Sequence, residues 1–202
     1  MGKCEIFSGI CRITSRVKPK TRVLTEKQIA EAVRDGSHEG QTELVSRYAA
    51  QVFSMIVKQV PNVMDAQELA QDTFLKAFSR IGSYDAHRAS LSTWLCCIAY
   101  RLTLDFMKRH RQPVITIEDD EDWPADIKDK QLETHLSTGR EERIEQLEKL
   151  IDLLPADERM LLTLYYFDDR PLAEIAYITG IDAKALANRL YRIRKKLYKQ
   201  MR

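Results

Sequence analysis

Between Lys184 and Arg202 every charged side chain is basic: Lys184, Arg189, Arg192, Arg194, Lys195, Lys196, Lys199 and Arg202. Cations at this density neutralise phosphate and release its counterions. Ala185 and Asn188 stand among them. An alanine methyl can meet a thymine methyl, and a carboxamide can pair with an adenine edge. A second set lies earlier, with Tyr84, His87, Arg88, Ser90 and Ser92 in one loop and Arg101, Lys108, Arg109 and Arg111 after it. An aromatic ring, hydrogen-bonding groups and cations together suit unpaired bases, which must be stacked or captured once a duplex opens. The chemistry is recognition, not bond making.

Catalytic alternatives find no support in the residues. There is no glycine-rich phosphate loop, metal constellation or nucleophile–histidine–acid set, so no enzyme, cofactor or metal is expected. Cys4, Cys11, Cys96 and Cys97 form neither a disulfide framework nor a metal motif. Cys96 and Cys97 adjoin inside an apolar helix and read as small buried side chains. No apolar run approaches the ~20 residues of a membrane span, and "CEIFSGIC" lacks the features of a signal peptide. The chain reads as cytoplasmic.

Those residues need elements to position them, and the periodicity throughout is helical. With 202 residues, 44% hydrophobic and 31% charged, the chain suits one medium or two small helical domains. Residues 1–24 form a basic arm without helical periodicity, either mobile or the product of an over-long start. Thr25 and Gln28 make a capping box for a first helix with Ile29, Ala30 and Val33 on its apolar side. A second helix is expected over Glu39–Val60, and Asp65 is expected to cap a third carrying Leu69, Phe74, Leu75 and Phe78. The loop "RIGSYDAHRAS" leads to a long helix over Leu91–Arg109, begun by Trp94, Leu95 and Ile98. Residues 113–140 hold Pro and many acids, including "EDDED" at Glu118–Asp122, and read as a flexible acidic linker. Helix resumes near Glu141, and Pro155 is placed at the first position of another helix reaching Phe167.

"PLAEIAYITGIDAKALANRLYRIRKKL" closes the chain with two short helices broken at Gly180. With Asp182 as N-cap, Leu186, Leu190, Ile193 and Leu197 follow at spacings of four, three and four, one apolar stripe. Lys184, Ala185, Asn188, Arg192 and Lys195 then point away from it. This is a helix-turn-helix, whose second helix fits a major groove. The fold class expected is all-α: two small helical domains on an acidic linker, over residues 25–112 and 141–202.

"DAQELAQDTFLKAF" (Asp65–Phe78) and "SYDAHRASLSTWLCCIAYRLTLDFMKRHR" (Ser83–Arg111) resemble the core domain of extracytoplasmic-function, or group four, sigma factors. "LPADERMLLTLYYFDDRPLAEIAYITGIDAKALANRLYRIRKKL" resembles the same family's promoter-binding C-terminal domain. The resemblance implies a bacterial initiation factor that docks on core RNA polymerase and helps open promoters. Its implied partners are the polymerase's beta-prime clamp helices and beta flap, promoter DNA both duplex and single-stranded, and an anti-sigma factor, membrane-bound ones among the options. Asp65, Glu68, Gln71, Asp72, Phe74 and Lys76 would meet the polymerase. Tyr84, His87, Arg88, Ser90, Arg101, Lys108 and Arg109 would serve the −10 element and its melting, with Asp105 orienting a neighbouring arginine and Trp94 anchoring the core. Lys184, Ala185, Asn188, Arg189, Arg192 and Lys195 would serve the −35 element.

Arg101 replaces the family's usual asparagine, and Lys184–Arg189 departs from its small-Thr-Val-Lys-Ser-Arg run, so neither promoter sequence is inherited. The acidic linker is open to two readings, a strand that occupies the RNA path until displaced or a solubilising tether. Two other functions remain: a dimeric helix-turn-helix repressor or activator, and a sigma-like decoy that sequesters a regulator.

Overall fold

The computed structural model describes residues 24–110 and 140–201, without the side chains of residues 140–142. Cys4, Cys11, Arg111, the Glu118–Asp122 run and nearly all of the expected arm and linker lie outside the described residues.

The first half builds helices α1 (Glu26–Arg34), α2 (His38–Val57), α3 (Val63–Arg80) and α4 (Leu91–Arg109). The capping box forms as expected: Gln28 N–H donates to Thr25 Oγ1 at 3.3 Å and Thr25 N–H to Gln28 Oε1 at 2.9 Å. Helix α2 starts one residue earlier than the sequence suggests, because Ser37 accepts from Gly40 N–H at 3.4 Å, and it ends at Val57. The cap of α3 differs too. Asn62 Oδ1 accepts from Met64 N–H at 2.9 Å and Asp65 N–H at 3.4 Å, so Asn62 is the cap. Asp65 falls in the first turn, where its charge favours the helix dipole.

Gly40 sets how closely α1 and α2 approach. A Cβ built there would stand 2.6 Å from Ala32 Cβ and 2.9 Å from the Ala32 carbonyl carbon. Gly40→Ala should therefore lose more to overpacking than the ~1 kcal/mol it gains in helix propensity. Urea unfolding is expected to show a net loss of about 1–3 kcal/mol.

The second half builds α5 (Arg140–Asp152), α6 (Ala156–Leu162), α7 (Leu172–Thr179) and α8 (Ala183–Gln200). Pro155 is the N-cap of α6 and not its first residue. The helix expected to reach Phe167 widens into a π-type turn over Thr163–Phe167, where Asp168 N–H donates to Thr163 O at 3.0 Å. Asp169 follows at φ 49°, the left-handed region that aspartate tolerates better than most residues.

The buried side chains form one continuous cluster running from Ile29 to Ile193. Its centre is α4, buried at every residue from Thr93 to Tyr100. A helix apolar all round needs partners on more than one side. Helices α2 and α3 pack against α4 from the first half, and α7 and α6 from the second. Nothing in the sequence reading brings the halves together; their union is a finding of the structure.

Candidate nucleic-acid interface

The helix-turn-helix forms as its residues predict. Gly180 adopts φ 75° to end α7, its N–H donating to Ala176 O at 2.9 Å. Such a left-handed residue is accessible to glycine at little cost. Asp182 Oδ1 accepts from Lys184 N–H at 2.9 Å and Ala185 N–H at 3.3 Å, fixing the start of α8. Leu186, Leu190 and Ile193 are buried and Leu197 is half-buried, so the apolar stripe holds α8 down. Lys184, Ala185, Asn188 and Arg192 are all exposed on the remaining surface.

Arg189 and Lys196 of α8 are already committed within the protein. Arg189 forms an ion pair with Asp157 of α6, and Lys196 lies 3.6 Å from Glu158. Both attach α8 to α6, and Arg189, which the resemblance assigned to the −35 element, is half-buried. Lys195 is half-buried as well. Asp157 and Glu158 are residues that sequence reasoning missed; their signal is two adjacent acids in the first turn of a helix, in the same domain as the wholly basic run from Lys184 onward.

The loop before α4 is built by Asp85. Its carboxylate accepts from His87 N–H at 2.9 Å, and its carbonyl accepts from Arg88 N–H at 3.1 Å. This Asx-type turn leaves His87 and Arg88 exposed. Tyr84 corrects the expectation of an open stacking platform. It is only 7% exposed, its ring centroid 5.7 Å from that of Trp94. Burial, with Glu26 nearby, raises its phenol above the ordinary value. Trp94 is a core anchor, as expected. Ser90 is the N-cap of α4, accepting from Thr93 N–H at 3.1 Å, so its hydroxyl is engaged in folding. Ser92 donates to Gln51 Oε1 at 2.8 Å.

Arg101, Asp105, Lys108 and Arg109 are exposed along α4. Arg109 Nε donates to the main-chain oxygen of Asp105 at 3.1 Å, so the backbone and not the carboxylate orients that arginine. Glu26 is another residue the sequence did not mark. One carboxylate oxygen accepts from Tyr48 Oη at 2.9 Å and the other from Leu91 N–H at 3.0 Å, tying α1 to α2 and to the start of α4. Burial and then this carboxylate push the Tyr48 phenol up to about 12.

On α3, Glu68 is exposed and Asp65, Gln71, Asp72 and Lys76 are half-buried along one outer side. Phe74 is only 3% exposed and belongs to the core, a correction that follows from its place on the inner stripe with Ala66, Ala70 and Ala77. Val63 at 52%, Met64 at 72% and Leu75 at 45% exposure are large apolar groups of α3 that face outward. Among the described residues, no helix is long and apolar enough to cross a membrane.

These features have counterparts in known proteins. Residues 44–112 match Sigma-70 region 2, and residues 144–197 match Sigma-70, region 4. The chain is 28% identical over 185 residues to the RNA polymerase sigma-H factor of Pseudomonas aeruginosa, covering 87% of this chain and 93% of that one. It is 27% identical over 186 residues to the ECF RNA polymerase sigma factor SigW of Bacillus subtilis, covering 89% and 98%. Its fold is similar to that of CnrH in complex with the cytosolic domain of CnrY, at TM-score 0.58 and 20% identity over 86% of this chain and 95% of that one. It is also similar to the sigma factor RpoE in complex with the anti-sigma factor NepR from Bartonella quintana, at TM-score 0.52 and 17% identity over 78% and 93%. An all-helical chain whose front half matches region 2 and whose rear half matches region 4, in that order, belongs to the extracytoplasmic-function sigma factors of the sigma-70 family.

Proposed function

We propose that the chain directs core RNA polymerase to promoters, with its two halves dividing the work. Helix α8 engages the duplex −35 element. The Asp85–Ala89 turn and the exposed side of α4 engage the −10 element as it opens, and the outer face of α3 docks on the polymerase clamp helices. The units that do this are residues 25–112 and 141–202. As a member of this family the chain works as an initiation factor and not as an enzyme, in the cytoplasm where polymerase and promoter meet. The likeness to CnrH held by CnrY and to RpoE held by NepR supports an anti-sigma factor as its regulator.

One observation carries the reading. Lys184, Ala185, Asn188 and Arg192 share the exposed surface of a helix whose opposite stripe is buried and whose start is capped. That places phosphate-neutralising cations beside two groups able to read base edges.

The division of labour is testable in the holoenzyme. His87→Ala with Arg101→Ala should lower the fraction of open promoter, read by permanganate reactivity of unpaired thymines, by about tenfold or more, since each base released from the stack needs a few kcal/mol of capture. Binding to a duplex −35 fragment should stay unchanged. Equal losses in both assays would contradict the assignment.

A further inference from the structure

Helix α1 precedes residues 44–112, the part that matches region 2, and has no share in the promoter contacts assigned above. Yet it meets the strand-capture loop at both ends. Where the chain enters the loop, α1 packs on the tight turn Ile81–Ser83, whose Ile81 is buried. Where the chain leaves it, Glu26 accepts from the N–H of Leu91, the first residue of α4, at 3.0 Å. Between these two points lie the Asp85 turn and the exposed His87 and Arg88.

The first N–H groups of a helix have no partner within it. Ser90 accepts from Thr93 N–H, which leaves the Leu91 N–H to be satisfied from 65 residues away. A carboxylate suits that place, because negative charge is favoured at a helix start and charge-assisted bonds are the stronger kind. Its second oxygen is engaged as well. Tyr48 Oη of α2 donates to it at 2.9 Å, which fixes the aim of the side chain. Helix α1 is itself held on α2, where Arg47 Nη1 donates to Leu24 O at 2.9 Å and Gly40 lets the two backbones meet. The carboxylate therefore acts from a fixed support.

We propose that Glu26 is a positioning residue for strand capture: its carboxylate holds the start of α4 against α1 and α2, and so fixes the aim of the Asp85–Ala89 turn before unpaired bases arrive. A loop held at both ends has less freedom left to lose when it captures a base. Glu26 touches no DNA in this scheme and acts through Leu91. Its effect on opening rests on the strand-capture role proposed above, whereas its hold on Leu91 does not.

The test uses the full chain, alone and with core polymerase on a promoter that the parent opens. In the free chain, Glu26→Ala should speed hydrogen exchange of the Leu91 amide about tenfold, as loss of one charge-assisted bond requires. In the holoenzyme it should lower permanganate reactivity of unpaired thymines about fivefold or more, with affinity for core polymerase and for duplex −35 DNA unchanged. Glu26→Gln should restore both to within about twofold, because the amide oxygen can still accept from Leu91 while its N–H donates to a turned Tyr48 hydroxyl. Thr25→Ala loosens the start of α1 but keeps both carboxylate bonds, so it should open the promoter as the parent does. Leu91 exchange at the parent rate in Glu26→Ala would overturn the hold. An equal loss of −35 affinity, or an equal opening defect in Thr25→Ala, would reduce Glu26 to general stability and overturn the positioning role. Faster exchange with normal opening would overturn it too, if His87→Ala with Arg101→Ala still impairs opening. If that pair also opens the promoter normally, strand capture itself is overturned, and the positioning role with it.

Discussion

Lys184→Ala with Arg192→Ala is expected to weaken holoenzyme binding to duplex −35 DNA by about 10- to 100-fold near 0.15 M salt, and to lower the slope of log affinity against log salt by about 2. Both side chains are exposed on α8, on the surface opposite the buried Leu186–Leu190–Ile193 stripe. Their removal should therefore leave the melting temperature of the free chain unchanged. The remaining cations of α8 are not equivalent. Arg189 and Lys196 pair with Asp157 and Glu158, so truncating them loosens α8 from α6 before it touches DNA. Asn188→Ala should act differently again, changing which base is preferred by about 1–3 kcal/mol while the salt slope stays constant. Titrating duplex affinity across salt concentrations separates these cases. A double variant with an unaltered slope would remove α8 from the phosphate-binding surface.

Leu75→Glu is the second large effect. Leu75 faces outward on α3, with Met64 and Glu68 at helical spacing along the same side. A carboxylate placed in the apolar part of a docking surface must be desolvated without a partner, and such central substitutions cost about 2–4 kcal/mol of binding. Affinity for core polymerase should fall by roughly 30- to 1000-fold on that basis. Because Leu75 is exposed, the circular-dichroism melt should not move. Its neighbour gives the contrast. Phe74 is buried, so Phe74→Ala should cost about 3–5 kcal/mol of stability and weaken polymerase binding only through unfolding. A Leu75→Glu protein that still saturates core polymerase at the parent concentration would place the docking surface elsewhere.

Much of this architecture is legible in the chain because local chemistry decides it. The Thr25 capping box, the Gly180 turn and the Asp182 cap each rest on a few adjacent residues, and each forms as read. Errors arise where two local signals compete. Asn62 and Asp65 can both cap α3, and Asn62 prevails because its carbonyl oxygen reaches the first free N–H groups. Tyr84 and Phe74 were read by motif position, yet whether an aromatic ring is buried depends on partners distant in sequence, here Trp94 for Tyr84.

The contact between the halves was the hardest feature to see. Its only sequence trace is that Trp94–Tyr100 is apolar all round, a pattern that asks for a second partner without naming one. Arg170, Glu174 and Tyr177 sit in a helix-turn-helix and read as part of it. Only the fold places them beside Cys96, Thr93 and Arg88.

Run-off transcription with purified core polymerase over a randomised promoter library is the most direct trial. With this chain added, the account predicts discrete start sites that share paired upstream sequence elements, one read as duplex and one melted. A chain that neither binds core polymerase nor yields a defined start on any member of the library would contradict it.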